Sequence, residues 1–563
     1  MPSSRGARLA RYYRRFGPWR TARRLGELAT GRLRGEPTHA ARSPGADLPD
    51  ALSLGRFVRP GRDRPPGWPE RPSLERVVFR RGWVASSRPV QHDIADPENA
   101  WSVVTVGTWD LRVHPDLTWC RTRRGNVEVV VLGDAVDVEN PTVDVDIISR
   151  RLLQAYLGSG SDGALRYAAY LGGRFSALVW SGEQLLVLPD AVASMPVYWA
   201  SMPSGVVLSS WSHLVAEVAR SEVNEPLLRL LRHARDTGGM STIFAPGIET
   251  PFLGVHPLLP NHLLVWTAAH PDTVRHERFY PWPDGKGLPP ADPYADFAEL
   301  LTEHTRLLCQ LGRVGISLTA GLDSNATLAA AWPWLAADAF SWTYHRFDPP
   351  DPGMQADLIA ANRKAGAVGL PHRVLELREP TTQAFIEGYA RSLGVAPQFR
   401  RLSAACFEQL PHGIVHLQSM VAEVGTGFYK RRTATDPTAA VLARTYANSE
   451  FGDLPEVVEA HERFIAYAGF DRDGLGDADL YDMFYWESRL GRWGTLRMQE
   501  CDLSHRLVLP FNQRRLIEAL QSEPLEERVD KSALRRFVEE RPLVPRHAAR
   551  APSLRGRMPF RGR

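Results

Sequence analysis

The stretch from Arg313 to Trp332 reads Arg-Val-Gly-Ile-Ser-Leu-Thr-Ala-Gly-Leu-Asp-Ser-Asn-Ala-Thr-Leu-Ala-Ala-Ala-Trp, and its residue types suit the binding of an anion. Thr319, Ser324 and Asn325 offer hydroxyl and amide groups, and the Asp323 carboxylate can hold a magnesium ion through oxygen. Val314, Ile316 and Leu318 read as a short buried strand, Thr319-Ala320-Gly321 as a tight turn, and Ser324 to Ala331 as a helix closed by Pro333. The first N–H groups of a helix lack internal partners, and its dipole adds partial positive charge there, so a strand feeding a helix through small residues is a preformed anion site. No Lys ends the loop, so it is not a Walker-type phosphate loop. If Ala320 needs a positive φ, it costs about 1–2 kcal/mol; if the position needs only to be small, Ala serves. The competing reading is an ordinary strand–turn–helix without a ligand.

The elements around this loop predict how it is held. Ala295 to Leu311 carries apolar groups at helical spacing. After the loop come a strand at Ala339 to Tyr344, a helix at Gln355 to Ala365 and a strand at His372 to Leu377. That β-α-β-α-β order calls for parallel strands and right-handed crossovers, with ligands at the C-terminal strand ends. Upstream, Val77-Val78-Phe79, Ser102 to Val106, Val127 to Leu132, Arg174 to Trp180, Gln184 to Leu188 and Val206 to Ser210 are short β-like runs. Turns such as Arg124-Gly125-Asn126 separate them. Val145 to Tyr156 reads as an amphipathic helix with Ile147, Ile148, Leu152, Leu153 and Tyr156 on one face. Many strands with few helices predict an α+β sandwich. Residues 211–265 read as a mostly helical bridge, and 266–290 as a linker.

The chain has 563 residues, enough for two or three domains, and its 44% hydrophobic and 23% charged content is globular. Cys120, Cys309, Cys406 and Cys501 are widely spaced with no CxxC pair, which argues against a zinc site or a disulfide framework and for reduced thiols. No apolar run is long enough for a membrane span, and no apolar core follows the N-terminal charges, so a cytoplasmic protein is expected. The net charge of +4 is uneven: eleven Arg and two Glu fall within residues 1–43, giving about +9 there and leaving the remainder near −5. Such an arm could touch an anionic surface, with a solvated extension as the alternative. No dedicated nucleic-acid domain is legible. Residues 35–73, rich in Pro, Arg, Gly and Asp, read as a linker, so 1–75 is taken as an extension.

Gly321-Leu322-Asp323-Ser324, with Thr319-Ala320 before it, resembles the Ser-Gly-Gly-Leu-Asp-Ser pyrophosphate loop of the asparagine synthetase family of ATP-dependent amide ligases. Other stretches resemble the same family in the same order. Leu171 to Trp180, Leu188-Pro189-Asp190, Met195-Pro196-Val197-Tyr198-Trp199 and Leu208-Ser209-Ser210 are similar to its N-terminal glutaminase domain. Phe252 to Leu264 is similar to its connector, Tyr485 to Phe511 to its helical synthetase core, and Asp530 to Arg536 to its Lys-x-x-Leu-Arg helix. The resemblance covers residues 76–560. It implies α/β plus α+β architecture: a degenerate N-terminal-nucleophile (Ntn) glutaminase-like sandwich at 76–265, and an ATP-pyrophosphatase domain of the adenine nucleotide α-hydrolase-like type at 291–563.

The resemblance also implies roles. Thr319, Ala320, Gly321, Ser324 and Asn325 would cradle pyrophosphate, Asp323 would bind Mg²⁺, and Ser317, Leu318 and Ser341-Trp342-Thr343 would neighbour the adenine and ribose of ATP. The family's second acidic motif best matches Leu417 to Tyr429, where Ala422-Glu423 and the Gly-x-Gly-aromatic end are kept but two earlier carboxylates are not. Glu423 would be a weaker second metal ligand and a catalytic group. Lys430-Arg431-Arg432 follow and might instead hold phosphate oxygens, or form a solvated cluster. The family's late Arg-x-Lys-x-Gly-Phe has no Lys here, the chain reading Arg555-Gly556-Arg557-Met558-Pro559-Phe560, so Lys531 or a terminal Arg would offset charge in the transition state.

Glutaminases of this kind use an N-terminal Cys whose own α-amine is the base. Here Met1 is followed by Pro2, and Cys120 is internal in Thr118-Trp119-Cys120-Arg121. A thiol with a reference pKa of about 8.5 is mostly protonated at neutral pH, so no glutamine hydrolysis is expected. The expected function is amide-bond formation through an acyl-adenylate, on carboxylate and amine substrates such as a peptide, natural product or envelope component. Asparagine formation with external ammonia and a non-catalytic nucleotide-binding scaffold are the alternatives, and a homodimer is left open.

Overall fold

Short runs rich in Val, Leu and Trp between residues 83 and 278 pair into two six-stranded antiparallel sheets. The computed structural model describes residues 73–545 apart from 89–100, 204, 239, 241–242, 284–291, 396–398, 435 and 448. The Arg-rich arm and the Arg555 to Phe560 end lie outside the described residues. In chain order the strands are β1 (Trp83–Ser86), β2 (Ser102–Val106), β3 (Trp109–Val113), β4 (Trp119–Arg124), β5 (Val127–Val136), β6 (Gly172–Trp180), β7 (Gln184–Pro189), β8 (Tyr198–Met202), β9 (Gly205–Ser209), β10 (His256–Pro257), β11 (His262–Thr267) and β12 (His270–Arg278). One sheet runs β10-β8-β9-β1-β3-β2 and the other β12-β11-β7-β6-β5-β4. A two-residue turn at Gly125-Asn126, with Gly125 at φ 62°, sets the β4–β5 register by pairing Arg124 with Val127.

The pleat explains why β5 is apolar throughout. Val130 and Leu132 face the layer between the two sheets, where they meet Trp83, Trp109, Leu178 and Trp266. Val127, Val129 and Val131 face the other side, under the helix Val145–Ala169. That helix is longer than the expected Val145 to Tyr156 and breaks at Ser159 and Gly160, where the backbone leaves helical geometry. Val77-Val78-Phe79 is a correction. It ends the short helix Leu74–Val77, and its buried side chains pack against the helix Gln383–Leu393.

The expected helical bridge is mixed: helices Ser212–Ala219 and Glu225–Thr237 precede strands β10 and β11. The expected linker at 266–290 is corrected too, because β12 lies within it and pairs along β11. This strand, His-Pro-Asp-Thr-Val-Arg-His-Glu-Arg, is a largely exposed sheet edge and so carries no apolar alternation.

The third sheet is parallel. Strands β13 (Val314–Ser317), β14 (Phe340–His345), β15 (His372–Glu376), β16 (Val415–Leu417) and β17 (Arg506–Val508) lie in the order β15-β14-β13-β16-β17. Helices Pro293–Leu308, Leu322–Ala331 and Pro352–Val368 flank the first strands, each close to its expected span. The chain is thus a mixed α/β protein with two antiparallel sheets and one parallel sheet.

The antiparallel and parallel halves are joined by buried polar contacts. Arg174 on β6 forms a bidentate pair with Asp502 at 2.5 and 2.7 Å, and both are buried. Arg278 on β12 does the same with buried Glu487 at 2.6 Å for each bond. Asp190 accepts from Val192 N–H, Ser194 N–H and Met195 N–H within its own turn, and from Asn512 Nδ2 of the other half at 2.9 Å. No described helix is long and apolar enough to cross a membrane.

Candidate active site

Strand β13 sits at the centre of the parallel sheet and ends in the loop Leu318 to Gly321. Leu318 N–H donates to Trp342 O at 2.9 Å, Thr343 Oγ1 donates to Leu318 O at 2.6 Å, and the Leu318 side chain is fully buried. Thr319 N–H donates to Ser324 Oγ at 3.2 Å, and Gly321 N–H donates to Thr319 Oγ1 at 3.1 Å. Asn325 Nδ2 donates to Gly321 O at 2.7 Å, so this amide braces the loop from within the helix. Ala320 has no positive φ, so the position asks for smallness only, and Ala carries no left-handed penalty. Its N–H points at an anion already: it donates to Asp357 Oδ1 at 2.9 Å.

Asp323 stands in the first turn of the following helix and takes both carboxylate contacts from Lys531 Nζ, at 3.0 and 2.7 Å. The Lys531 backbone is left-handed at φ 58°, where it caps the helix Ser532–Glu540. Glu423 lies in the one-turn helix Ala422–Gly425 after β16, and Val421, which precedes that helix, has φ 91°, an outlier for a β-branched residue. Local strain of this kind costs about 1–3 kcal/mol and persists only where the surroundings impose it. Burial first, and then the neighbouring Asp323 charge, push the Glu423 carboxyl up to about 7, while Lys531 pulls the other way. Three residues widely separated in sequence therefore form one electrostatic unit at the strand exits.

This unit opens on a cavity of about 940 Å³ whose lining includes Ser317, Thr319, Asp323, Ser324 and Glu423. Trp342 and Tyr344 of β14 give it aromatic surface, joined by Phe399 and Trp493. Arg400 and Arg401 line it while paired with Glu379 at 3.1 and 2.8 Å. Gln418 Oε1, Ser419 Oγ and Trp493 Nε1, all from lining residues, are buried without a hydrogen-bond partner. Unpaired buried polar groups cost about 1–3 kcal/mol each, and a polar ligand in this cavity would supply partners for them. A carboxylate pair, hydroxyls and orphaned polar atoms fit a magnesium-bound phosphate, since Mg²⁺ binds through one or two carboxylates plus phosphate oxygens.

The other expected site residues are placed as follows. Ser341 is fully buried, and its hydroxyl meets His372 Nδ1 at 2.9 Å, because the pleat turns it away from the face that carries Trp342 and Tyr344. Ala320 and Gly321 are exposed at the bend, outside the cavity lining. Arg432 is drawn off by Asp482 at 2.6 Å and Asp479 at 2.7 Å, and Lys430 and Arg431 line a different cavity, so that cluster does not reach the loop. Cys120 lies in β4 with its thiol 3.4 Å from Asp146 Oδ1.

Sequence reasoning missed Asp357 and the strained Val421, and it read Tyr485–Gly494 as helical without its wider geometry. The last is a π-helix, in which roughly four to five residues make a turn, so Tyr485, Arg489 and Trp493 stack along one side. The Arg489 guanidinium lies 4.8 Å from the Phe428 ring and 5.3 Å from the Trp493 ring. The run of aromatic and Arg residues was the available signal.

Neither protein-family models nor curated proteins give a match to this chain. Among solved structures, the chain is similar to a glutamine phosphoribosylpyrophosphate amidotransferase from B. subtilis complexed with ADP and GMP, at 11% identity and a TM-score of 0.22, over 69% of this chain and 74% of that one. An allosteric regulatory enzyme of purine biosynthesis follows at 12% identity and a TM-score of 0.22, over 62% and 70%. A glutamine-dependent NAD⁺ synthetase from Acinetobacter baumannii in complex with ADP gives 16% identity and a TM-score of 0.15, over 43% and 60%. Likeness at this level carries no weight for fold or activity.

Proposed function

We propose that this protein is an ATP-dependent amide-forming ligase that activates a carboxylate as its AMP ester, resembling asparagine synthetases but with no glutaminase activity of its own. The observation that supports it is the grouping of Asp323, itself paired with Lys531, and Glu423 with Thr319 and Ser324 at the exits of β13 and β16, these four on one cavity with unpartnered polar atoms. Thr319 and Ser324 offer hydroxyls to the phosphates, and the helix start adds partial positive charge. Asp323 would be the principal magnesium ligand and Glu423 the second, and the metal would supply charge to neutralise phosphate oxygens. Lys531, whose ammonium donates to both Asp323 carboxylate oxygens, places positive charge beside the loop, where it would offset negative charge on a leaving group. Burial and the Asp323 charge hold the Glu423 proton well above the carboxylate range, so as a metal ligand it would have to give up that proton on binding. Tyr344, Phe399 and Trp493, each only half-buried, offer flat surfaces to a base. Cys120 lies inside a strand and has no adjoining free α-amine, so the amine substrate binds directly.

Exchange of radiolabelled pyrophosphate into ATP, run across a panel of carboxylates that includes aspartate, tests this reading. Exchange that depends on one carboxylate supports it, and dependence on aspartate would select asparagine formation. ATP binding without exchange under any carboxylate would make the chain a nucleotide-binding scaffold. Asp323→Asn is expected to abolish magnesium-dependent ATP binding, and unchanged binding would remove that side chain from the site.

A further inference from the structure

Beside the cavity just described lies a second one, of about 660 Å³, lined by Phe428, Tyr429, Lys430, Arg431, Arg444, Tyr446, Tyr481 and Arg489 among others. Its described lining holds four cationic side chains and no carboxylate. Arg444 is partly committed to Asp453 at 2.7 Å. Among the described residues neither Lys430 nor Arg431 has an ion-pair partner, although Arg432 next to them has two. This is an unusual concentration of one sign of charge in a concave site, where the walls focus the field.

The rest of the wall mixes aromatic rings with hydroxyls, Thr433 and Thr445 among them. The Phe428 ring remains 40% exposed although it sits 4.7 Å from the buried Tyr485 ring. Gly427, at φ 61°, makes the turn that presents it. Tyr481 is held in place by accepting from Thr433 N–H and Ala434 N–H at 3.1 and 3.0 Å. The two cavities meet at Arg489, which stacks between Phe428 of one and Trp493 of the other.

We propose that this second cavity is the recognition subsite for the non-nucleotide substrate, and that it takes a ligand carrying an anionic group on a flat aromatic body, an aryl carboxylate or aryl phosphate. Lys430 and Arg431 meet the anion at the mouth, and the exposed Phe428 ring takes the flat body. The assignment to the substrate rests on the ligase reading; binding itself does not, and is measured without nucleotide.

The test is calorimetric titration of the full chain with 2-naphthylacetate, 2-naphthyl phosphate and, as the cationic counterpart, 2-(2-naphthyl)ethylammonium. At least one anion is expected to bind about tenfold or more tightly than the ammonium, and the tighter of the two anions identifies the preferred head group. The double substitution Lys430→Gln, Arg431→Gln, at two exposed positions, is expected to weaken that binding by about tenfold while leaving ATP affinity within about twofold. Phe428→Ala is expected to weaken it as well, with the same ATP control. Equal binding of the ammonium, unchanged binding by the double variant, or binding of none of the three overturns the proposal. Anion binding that persists in a chain giving no pyrophosphate exchange would sink the ligase reading and leave the subsite standing.

Discussion

The electrostatic unit at the strand exits makes a prediction with opposite signs for two substitutions. Glu423 loses its proton near pH 7 because burial and the Asp323 charge raise it, while Lys531 lowers it. Asp323→Asn removes a raising charge and should move Glu423 down towards the ordinary carboxylate range. Lys531→Met removes the lowering charge and should move it further up. A partly buried charge at this range shifts a neighbour by about one pKa unit or more, worth about 1.4 kcal/mol, so each substitution should change the Glu423 proton equilibrium roughly tenfold. Carbon NMR of protein labelled at the glutamate carboxyl reads this directly, with Glu423→Gln assigning the resonance.

The same shift sets a stability dependence. Glu423 has a folded value above its ordinary 4.5, so its contribution is complete below that pH and is lost as pH rises through about 7. Asp323→Asn should flatten that loss and Lys531→Met should steepen it. Movement of the resonance in the same direction in both variants, or a parent midpoint below about 5, would refute the coupling.

Asp357→Ala should free the Ala320 N–H for a phosphate oxygen and tighten magnesium pyrophosphate about fivefold by calorimetry, the worth of one net hydrogen bond; a fivefold weakening would instead make Asp357 part of the ligand site. Arg174→Met alone leaves buried Asp502 without its cation and should cost about 3–5 kcal/mol, seen as a lower midpoint in thermal denaturation. The double change Arg174→Met, Asp502→Leu should recover most of that loss, and failure to do so would show that the pair's geometry, not its charge, matters.

What the sequence revealed follows from the range of the interactions involved. The β13 loop was legible because a buried strand, a small-residue bend and an Ala-rich helix follow one another within twenty residues, and local propensity suffices to read them. Ser341 and Trp342 could not be told apart as ligand neighbours until the pleat of β14 assigned them to opposite faces. β12 was missed because an exposed edge strand may be polar at nearly every position. The Val421 and Lys531 backbones, both left-handed, are imposed by tertiary context, and neither residue type signals that conformation. The pairing of Lys531 with Asp323 spans the chain from the loop to its late helices, so no window of sequence contains it.

The ionic seam between the antiparallel and parallel halves has a consequence for how this chain can be cut. A fragment beginning after residue 291 would carry Asp502 and Glu487 stripped of their arginines, and Asn512 stripped of Asp190. It would bare apolar ground as well, since Trp486 and Phe464 share one continuous core with Ala191 and Val192. Gene fission or domain shuffling at this joint would therefore leave the parallel half with bared core and unpaired buried charges, and the sandwich serves as its folding partner in cis.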